Sequence, residues 1–170
     1  MTKLIKTIIA LMLTANAAWA ADNTKKTIVT SPDGKLKVCA ESGNGLKWSV
    51  DYNGIAVIEP SAVGITIGGK EVIAGKASSS KVKSVDKTYD VFYAKRKVIR
   101  DSYNTVTLSF KSGAKVELRA YDGFAAYRIL PGVKKNATVD AETVELRFPS
   151  DCEAFVPYVN DNRGGERWCY

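Results

Sequence analysis

The sequence predicts an all-β fold, an antiparallel β-sandwich of the supersandwich kind. Apolar and polar residues alternate along many short segments, as they do in half-buried strands. Turn-forming residues separate these segments at intervals of roughly 8–12 residues, which favours a sandwich over a parallel α/β sheet. Beyond the first 20 residues, no stretch of ten residues has the periodicity of an amphipathic helix.

The first half of the chain reads as a series of hairpins. Leu36, Val38 and Ala40 alternate with charged neighbours, so we expect one face of this strand in the core. Asn53-Gly54 is a strong hairpin signal, because both residues tolerate the positive φ of a type I′ turn. The predicted strands are 26–30, 36–41, 46–52, 55–58, 63–67 and 71–73, with Glu59-Pro60-Ser61 ending the fourth and Gly68-Gly69 turning the fifth.

The second half continues the pattern. Ser112-Gly113 and Asp122-Gly123 mark turns between alternating segments. Residues 74–80 and 131–141 are rich in small and polar residues and are predicted loops. The predicted strands are 82–93 with a break, 105–110, 116–120, 124–130, 143–148 and 153–159.

The N-terminus has the pattern of an export signal. Lys3 and Lys6 precede an apolar run over residues 8–13, and Ala18-Trp19-Ala20 is a small-residue cleavage site. The run is too short to span a bilayer about 30 Å thick. We therefore expect residues 1–20 to be a cleaved signal peptide and residues 21–170 to be one exported domain, periplasmic or extracellular, with no membrane contact after cleavage.

Composition excludes several kinds of chemistry. Histidine is absent, which removes histidine-based catalysis and histidine-ligated zinc. Loss of Lys3 and Lys6 lowers the basic total from 25 to 23 against 18 acids, so the net charge falls from +7 to +5. The densest basic stretch is Lys95-Arg96-Lys97, which we interpret as a solvated turn because acids are interspersed throughout and the protein is expected to be exported. No nucleic-acid partner is expected.

The three cysteines are Cys39, Cys152 and Cys169. An exported protein can form disulfides, but an odd number leaves at least one thiol unpaired. Cys152 and Cys169 are near enough in sequence to pair, whereas Cys39 lies in a predicted strand. The pairing stays open.

Aromatic residues suggest one candidate sugar site. Trp48 and Tyr52 share the apolar face of a strand, which is more typical of a core than of a sugar platform. A polar loop near the C-terminus instead combines aromatic rings with planar hydrogen-bonding groups, as sugar sites do. The candidate carbohydrate-binding residues are Tyr158, Asn160, Asn162, Arg163 and Trp168.

No catalytic residues are predicted. Acid–base catalysis by a pair of carboxyl groups needs one of the two to keep its proton. Asp151 and Glu153 share one strand face, but we interpret them as a solvated edge. The other acids lie at predicted turns, such as Asp33, or on predicted solvent faces, such as Glu117.

Several segments, in their order, resemble the N-terminal domain of glycoside hydrolase family 97, the bacterial α-glucosidases and α-galactosidases. The segments are SPDGKLKV at 31–38, LKWSV at 46–50, YNG at 52–54, EPSAVGI at 59–65 and LRAYDGFAAYR at 118–128. The resemblance covers most of residues 28–150.

This resemblance implies a β-sandwich that packs on a (β/α)₈ catalytic barrel carrying the acid–base carboxylates and a calcium ion. A barrel needs about 250 residues, so the chain stops before one can begin. We expect the sandwich to be incomplete at its C-terminal end and the chain to carry no cofactor itself, calcium being implied only for the full-length enzyme. The implied partner is an α-linked oligosaccharide, bound together with the catalytic domain.

Two further interpretations remain. The chain could be a free-standing carbohydrate-binding domain or an envelope interaction domain, in either case without hydrolase activity. Glucose or galactose preference, a retaining or inverting outcome, and oligomeric state are not indicated by the residues.

Overall fold

The computed structural model describes residues 24–92, 95–133 and 136–155. These residues form eleven β-strands and no helix. The described part of the chain therefore has no helix that is long and apolar enough to cross a membrane. The all-β prediction is confirmed. The strands are β1 Lys25–Thr30, β2 Leu36–Gly43, β3 Gly45–Tyr52, β4 Ile55–Ile67, β5 Lys70–Glu71, β6 Ser78–Ser79, β7 Lys83–Asp90, β8 Val98–Ser109, β9 Lys115–Ala120, β10 Ala125–Leu130 and β11 Val139–Val144.

The strands form two antiparallel sheets. The first has six strands in the order β1-β2-β3-β4-β11, with the short β5 also paired to β4. The second has five strands in the order β10-β9-β8-β6, with β7 also paired to β8. β9 pairs with residues 104–109 of β8, and both β6 and β7 pair with some of these same residues. Since a strand has two edges, β6 and β7 must both lie on the edge of β8 opposite β9.

The core lies between the two sheets and follows the alternation in the sequence. Val38 and Ala40 of β2 face Val116 and Leu118 of β9 across one apolar cluster. Successive side chains of a strand point to opposite faces, so alternate positions on both sheets meet inside. The remaining buried members of the cluster are Val29, Leu36, Leu46, Trp48, Val50, Val63, Ile73, Ala77, Val106, Leu108, Phe110, Ala114 and Ala120.

Turn chemistry is as the sequence predicts at two hairpins. Asn53 has φ 51° and Gly54 has φ 79°, the positive pair that a type I′ turn requires. Gly68 and Gly69, at 59° and 73°, turn β4 into β5 in the same way.

The predicted strand end at Glu59-Pro60-Ser61 is wrong. β4 runs through Pro60, and the partners of β3 skip there, since Trp48 pairs with Ser61 and Val50 with Ile58. The extra residue forms a bulge. Proline is tolerated at a bulge because the ladder is interrupted there, so the hydrogen bond that proline cannot donate is not needed.

Strand boundaries are also wrong where strands lack a buried face. β8 begins at Val98, seven positions before the predicted start, and β11 occupies residues 139–144, part of which was predicted as loop. Every residue of β11 is exposed, and β7 is exposed at all but one position, so alternation gives no signal. Residues 153–155 are not in a strand, and 156–159 lie outside the described residues.

A charged cluster covers the outer face of the second sheet. Glu117 accepts hydrogen bonds from Arg119 Nε at 2.8 Å and from Arg128 Nη2 at 2.6 Å. Burial raises the pKa of Glu117, whose side chain is 13% exposed, but the two guanidinium groups outweigh burial and hold that pKa below its usual value. The ion pairs therefore join β9 to β10 on the face opposite the core.

Replacing Gly132 by alanine should destabilise the fold more than the same change at Gly34. Both residues have positive φ, at +73° and +77°, which costs a side chain about 1 kcal/mol. Only at Gly132 would a Cβ meet backbone, lying 2.5 Å from the carbonyl oxygen of Gly113. Overpacking adds about 1–3 kcal/mol. Urea unfolding gives the free energy of unfolding of each variant. An equal decrease in Gly132→Ala and Gly34→Ala would contradict the close contact at Gly132.

Glu117→Gln should lower the free energy of unfolding by about 1–3 kcal/mol at pH 7, because it removes charged hydrogen bonds to two arginines. A carboxyl with a lowered folded-state pKa stabilises above its unfolded pKa and loses that effect as pH falls through the folded value. The difference from the wild type should therefore shrink on going from pH 7 to pH 3 in urea titrations. Glu153→Gln, at an exposed position, is the control and should change little at either pH.

Candidate functional site

The predicted sugar cluster lies outside the described residues. All five members, Tyr158, Asn160, Asn162, Arg163 and Trp168, fall within residues 156–170. The cluster stays a prediction.

Trp48 belongs to the core, as predicted. Its side chain is 6% exposed and its ring meets that of Tyr127 edge-on, with centroids 5.0 Å apart. Its buried indole N–H has no hydrogen-bond partner within the described ranges. Tyr52, which shares its face, lies at the rim and is partly exposed.

The described carboxyl groups do not form an acid–base pair. Asp151 and Glu153 are both exposed. Where the pKa of a described carboxyl departs from its usual value it is lowered, at Asp33, Asp86 and Glu145 as well as at Glu117. A general acid needs the opposite shift. These four carboxyls are therefore poorly suited to act as a general acid.

The described residues also offer no cation cage. They contain no group of three or more Cys, Asp or Glu side chains placed to hold a metal ion. Calcium takes six to eight oxygen ligands, usually with several carboxylates. The calcium ion that the resemblance implies does not fit the described residues.

Cysteine geometry leaves the disulfide question partly open. Cys39 is buried and Cys152 exposed, and both are free thiols in the described structure. Burial raises the pKa of Cys39 and so keeps it protonated. Cys169 lies outside the described residues.

A concave site lies beside the β9–β10 turn, where it forms a notch. β9 pairs with β8 only from Asn104 onward, so residues 98–103 of β8 are paired with β7 alone in the described structure and overhang the turn. The space beneath the overhang is about 770 Å³. We call it the overhang notch; its lining is Tyr89, Ile99, Arg100, Asp101, Ser102, Tyr121, Asp122, Gly123 and Phe124.

An aromatic stack forms one wall of the overhang notch. Tyr121 and Phe124 stack with centroids 4.0 Å apart and planes 14° apart, and Tyr121 also contacts Tyr103 at 4.9 Å. The Arg119 guanidinium lies 4.5 Å from the centre of the Tyr103 ring and donates to the Tyr121 hydroxyl at 3.4 Å. Glu117 holds Arg119 in turn. These contacts fix the rings before any ligand arrives.

Polar groups complete the overhang notch. Arg100 donates from Nε and Nη2 to the two carboxylate oxygens of Asp86, both at 2.7 Å, which uses two of its five N–H donors. Asp122 accepts from the backbone N–H of Asp33 at 2.9 Å with one oxygen. The backbone of Asp101 pairs with β7, but its carboxylate makes no hydrogen bond with any described residue and can accept one.

An apolar cleft adjoins the overhang notch at the mouth of the sandwich. It measures about 340 Å³ and lies between Trp48 and Val57 of the first sheet and Phe124 of the second. Phe124 lines both spaces. The cleft has few polar groups, whereas the overhang notch mixes rings with charges.

Sequence reasoning missed the overhang notch. Asp122-Gly123 was interpreted only as a turn, Phe124 as the first residue of the following strand, and Tyr121 was assigned no role of its own. The available signal was a turn flanked by aromatic residues on both sides.

The basic stretch Lys95-Arg96-Lys97 lies in the exposed connection from β7 to β8, in agreement with its interpretation as a solvated turn. The neighbouring Tyr93 lies outside the described residues.

The chain is similar to known glycoside hydrolases. The chain is 35% identical over 144 residues to a retaining α-galactosidase of Bacteroides thetaiotaomicron, covering 84% of this chain and 22% of that enzyme. The chain thus spans about a fifth of the length of this relative.

Solved structures share the fold. A glycoside hydrolase family 97 enzyme from Pseudoalteromonas sp. strain K8, in complex with panose, aligns with a TM-score of 0.59 and 22% identity over 72% of this chain and 20% of that one. The same enzyme has been solved with acarbose. A β-arabinopyranosidase aligns with a TM-score of 0.62 and 27% identity over 72% of this chain and 21% of its own.

The family assignment follows from the extent of the match. The model of the glycosyl hydrolase 97 N-terminal domain matches residues 29–168, which include all eleven strands apart from the start of β1. The turn that carries Tyr121 and Phe124 lies inside both the matched residues and the segments on which the resemblance was first noted. The chain belongs to the glycosyl hydrolase 97 N-terminal domain family.

Proposed function

We propose that this chain is the non-catalytic N-terminal part of an exported glycoside hydrolase that acts on α-glucosides or α-galactosides. Its role is to brace a catalytic domain. Two observations support the proposal. The chain spans only 22% of the α-galactosidase that it matches. The described carboxyl groups whose pKa departs from its usual value, those of Asp33, Asp86, Glu117 and Glu145, all have a lowered pKa. The chemistry then belongs to polypeptide outside the match.

Exposed apolar side chains support a bracing role. Ile55 and Val57 of β4 are 71% and 44% exposed, and Val144, Leu146 and Phe148 at the end of β11 are exposed as well. Glu59 and Arg147 form a backbone bridge that places the two segments side by side. Large apolar side chains left exposed on neighbouring segments are typical of surfaces that another part of a protein covers.

We further propose that the polar C-terminal loop contacts the sugar. Tyr158, Asn160, Asn162, Arg163 and Trp168 combine stacking rings with amide and guanidinium donors. Export through the signal at residues 1–20 would place this surface in the periplasm or outside the cell, where oligosaccharides are found. The second candidate function, a free-standing carbohydrate-binding domain, is favoured by the overhang notch, which needs no other domain to form.

The purified chain should not hydrolyse p-nitrophenyl α-glucoside or p-nitrophenyl α-galactoside. The described carboxyl groups whose pKa departs from its usual value all have a lowered pKa, and glycoside hydrolysis needs one acid that keeps its proton. Release of nitrophenol should equal that of a preparation made from cells without the gene. Turnover that co-purifies with the chain above this background would contradict the proposal.

Replacing the matched segment of the B. thetaiotaomicron α-galactosidase with this chain should yield an active chimera. Bracing depends on a shared fold and packing surface, and the two segments are 35% identical. The same enzyme with the segment deleted is the control and should be inactive. Hydrolysis of p-nitrophenyl α-galactoside and the melting temperature of the catalytic domain are the measurements. A chimera no more active or stable than the deletion would argue against a bracing role.

A further inference from the structure

We propose that the overhang notch binds a neutral oligosaccharide. The proposal rests on the proposed function for the class of ligand alone; its geometry involves only described residues. It requires neither a catalytic domain nor residues 156–170.

Exposed rings in the overhang notch suit sugar faces. Phe124 is 57% exposed and Tyr89 is 50% exposed, and they come from different elements, the β9–β10 turn and β7. Pyranose rings present flat C–H surfaces that stack on aromatic rings. Two exposed rings within one concave space of about 770 Å³ leave room for more than one sugar unit.

Polar groups in the overhang notch suit sugar hydroxyls. Asp101 and the second oxygen of Asp122 can accept hydrogen bonds, and Arg100 retains N–H donors beyond those given to Asp86. Planar carboxylate and guanidinium groups can each bond two neighbouring hydroxyls, which orients a ring that stacking alone would leave free to rotate.

The overhang notch is built in advance. Tyr121 lies between Tyr103 and Phe124, and Arg119 with Glu117 holds it from the outer face of the sheet. The Asp122 carboxylate ties the turn to the first sheet at Asp33. Fewer side chains then need ordering on binding, which lowers the entropic cost that usually makes sugar binding weak.

Charge in the overhang notch disfavours other ligands. The lining has a single guanidinium, Arg100, which is already paired with Asp86 and has Asp122 nearby. Asp101, the next residue of β8, presents its carboxylate on the opposite face, so a phosphate group would meet a carboxylate on either face and no free cation in the lining. An apolar peptide would have to desolvate these same charges, at a cost that the neighbouring apolar cleft does not impose. A neutral, hydroxyl-rich molecule meets neither penalty.

Titration of the purified chain with panose and with raffinose, followed by calorimetry and ¹H–¹⁵N NMR, tests the site. Binding of at least one of them should shift amide signals of residues 99–102 and 121–124. Tyr89→Ala and Phe124→Ala should each weaken binding about tenfold, equivalent to about 1.4 kcal/mol. Phe155→Ala and Tyr52→Ala remove exposed rings that do not line the overhang notch and are the matched controls.

A second variant guards against loss of structure. Phe124 contacts Tyr121, so its removal could disturb the turn. Asp101→Asn removes charge without removing volume, and it should weaken binding while leaving the melting temperature unchanged. No binding of either sugar, or binding that Tyr89→Ala and Asp101→Asn leave intact, would overturn the proposal.

The outcome is separable from that of the bracing proposal. The titration uses the chain alone and measures no hydrolysis, whereas the chimera measures hydrolysis and needs no free notch. If the chain binds neither sugar, and Tyr89→Ala abolishes activity of the chimera, the overhang notch is a contact with the catalytic domain and the sugar proposal is wrong.

Discussion

Two antiparallel sheets share one apolar interior when the strands that cross it alternate inward apolar and outward polar side chains. In this protein β3, the second half of β8 and β9 follow that pattern, β2 does so except at the buried Cys39, and their inward side chains form a single cluster. Each fully buried valine or leucine there contributes roughly 1.5–3 kcal/mol. A slip of one residue in any of these strands would move its charged residues into the core, so the register of the sandwich is fixed by burial.

The same rule explains what could be predicted from the sequence. Where burial enforces alternation, as at Leu36, Val38 and Ala40, the strands and their inward faces follow from the residues, and Asn53-Gly54 follows from turn chemistry. β11 and the start of β8 lie beyond the interior. Their side chains are free to be polar or apolar, so their pairing depends on partners distant in sequence, such as residues 63–67 for β11.

The overhang notch arises from this freedom. Because residues 98–103 of β8 have no core to cover, they can extend past β9 with β7 as their only described strand partner and leave a space beside the turn. Tyr89 is on β7 and Phe124 on the β9–β10 turn, 35 positions apart in sequence. Their proximity follows from the pairing of β7 with β8 and from where β9 ends, neither of which a local pattern reports. The site could not have been found from the sequence segment by segment.

Rigidity at the overhang notch has a physical source that differs from that of the core. Burial of Glu117 alone would favour its neutral form, yet two guanidinium groups keep it ionised, and one of them, Arg119, orients Tyr103 and Tyr121. The carboxylate is thus used to hold an aromatic wall and is unavailable to give up a proton. A domain that fixes a carboxylate in this way presents a rigid aromatic surface on which a ligand or a neighbouring domain can be positioned.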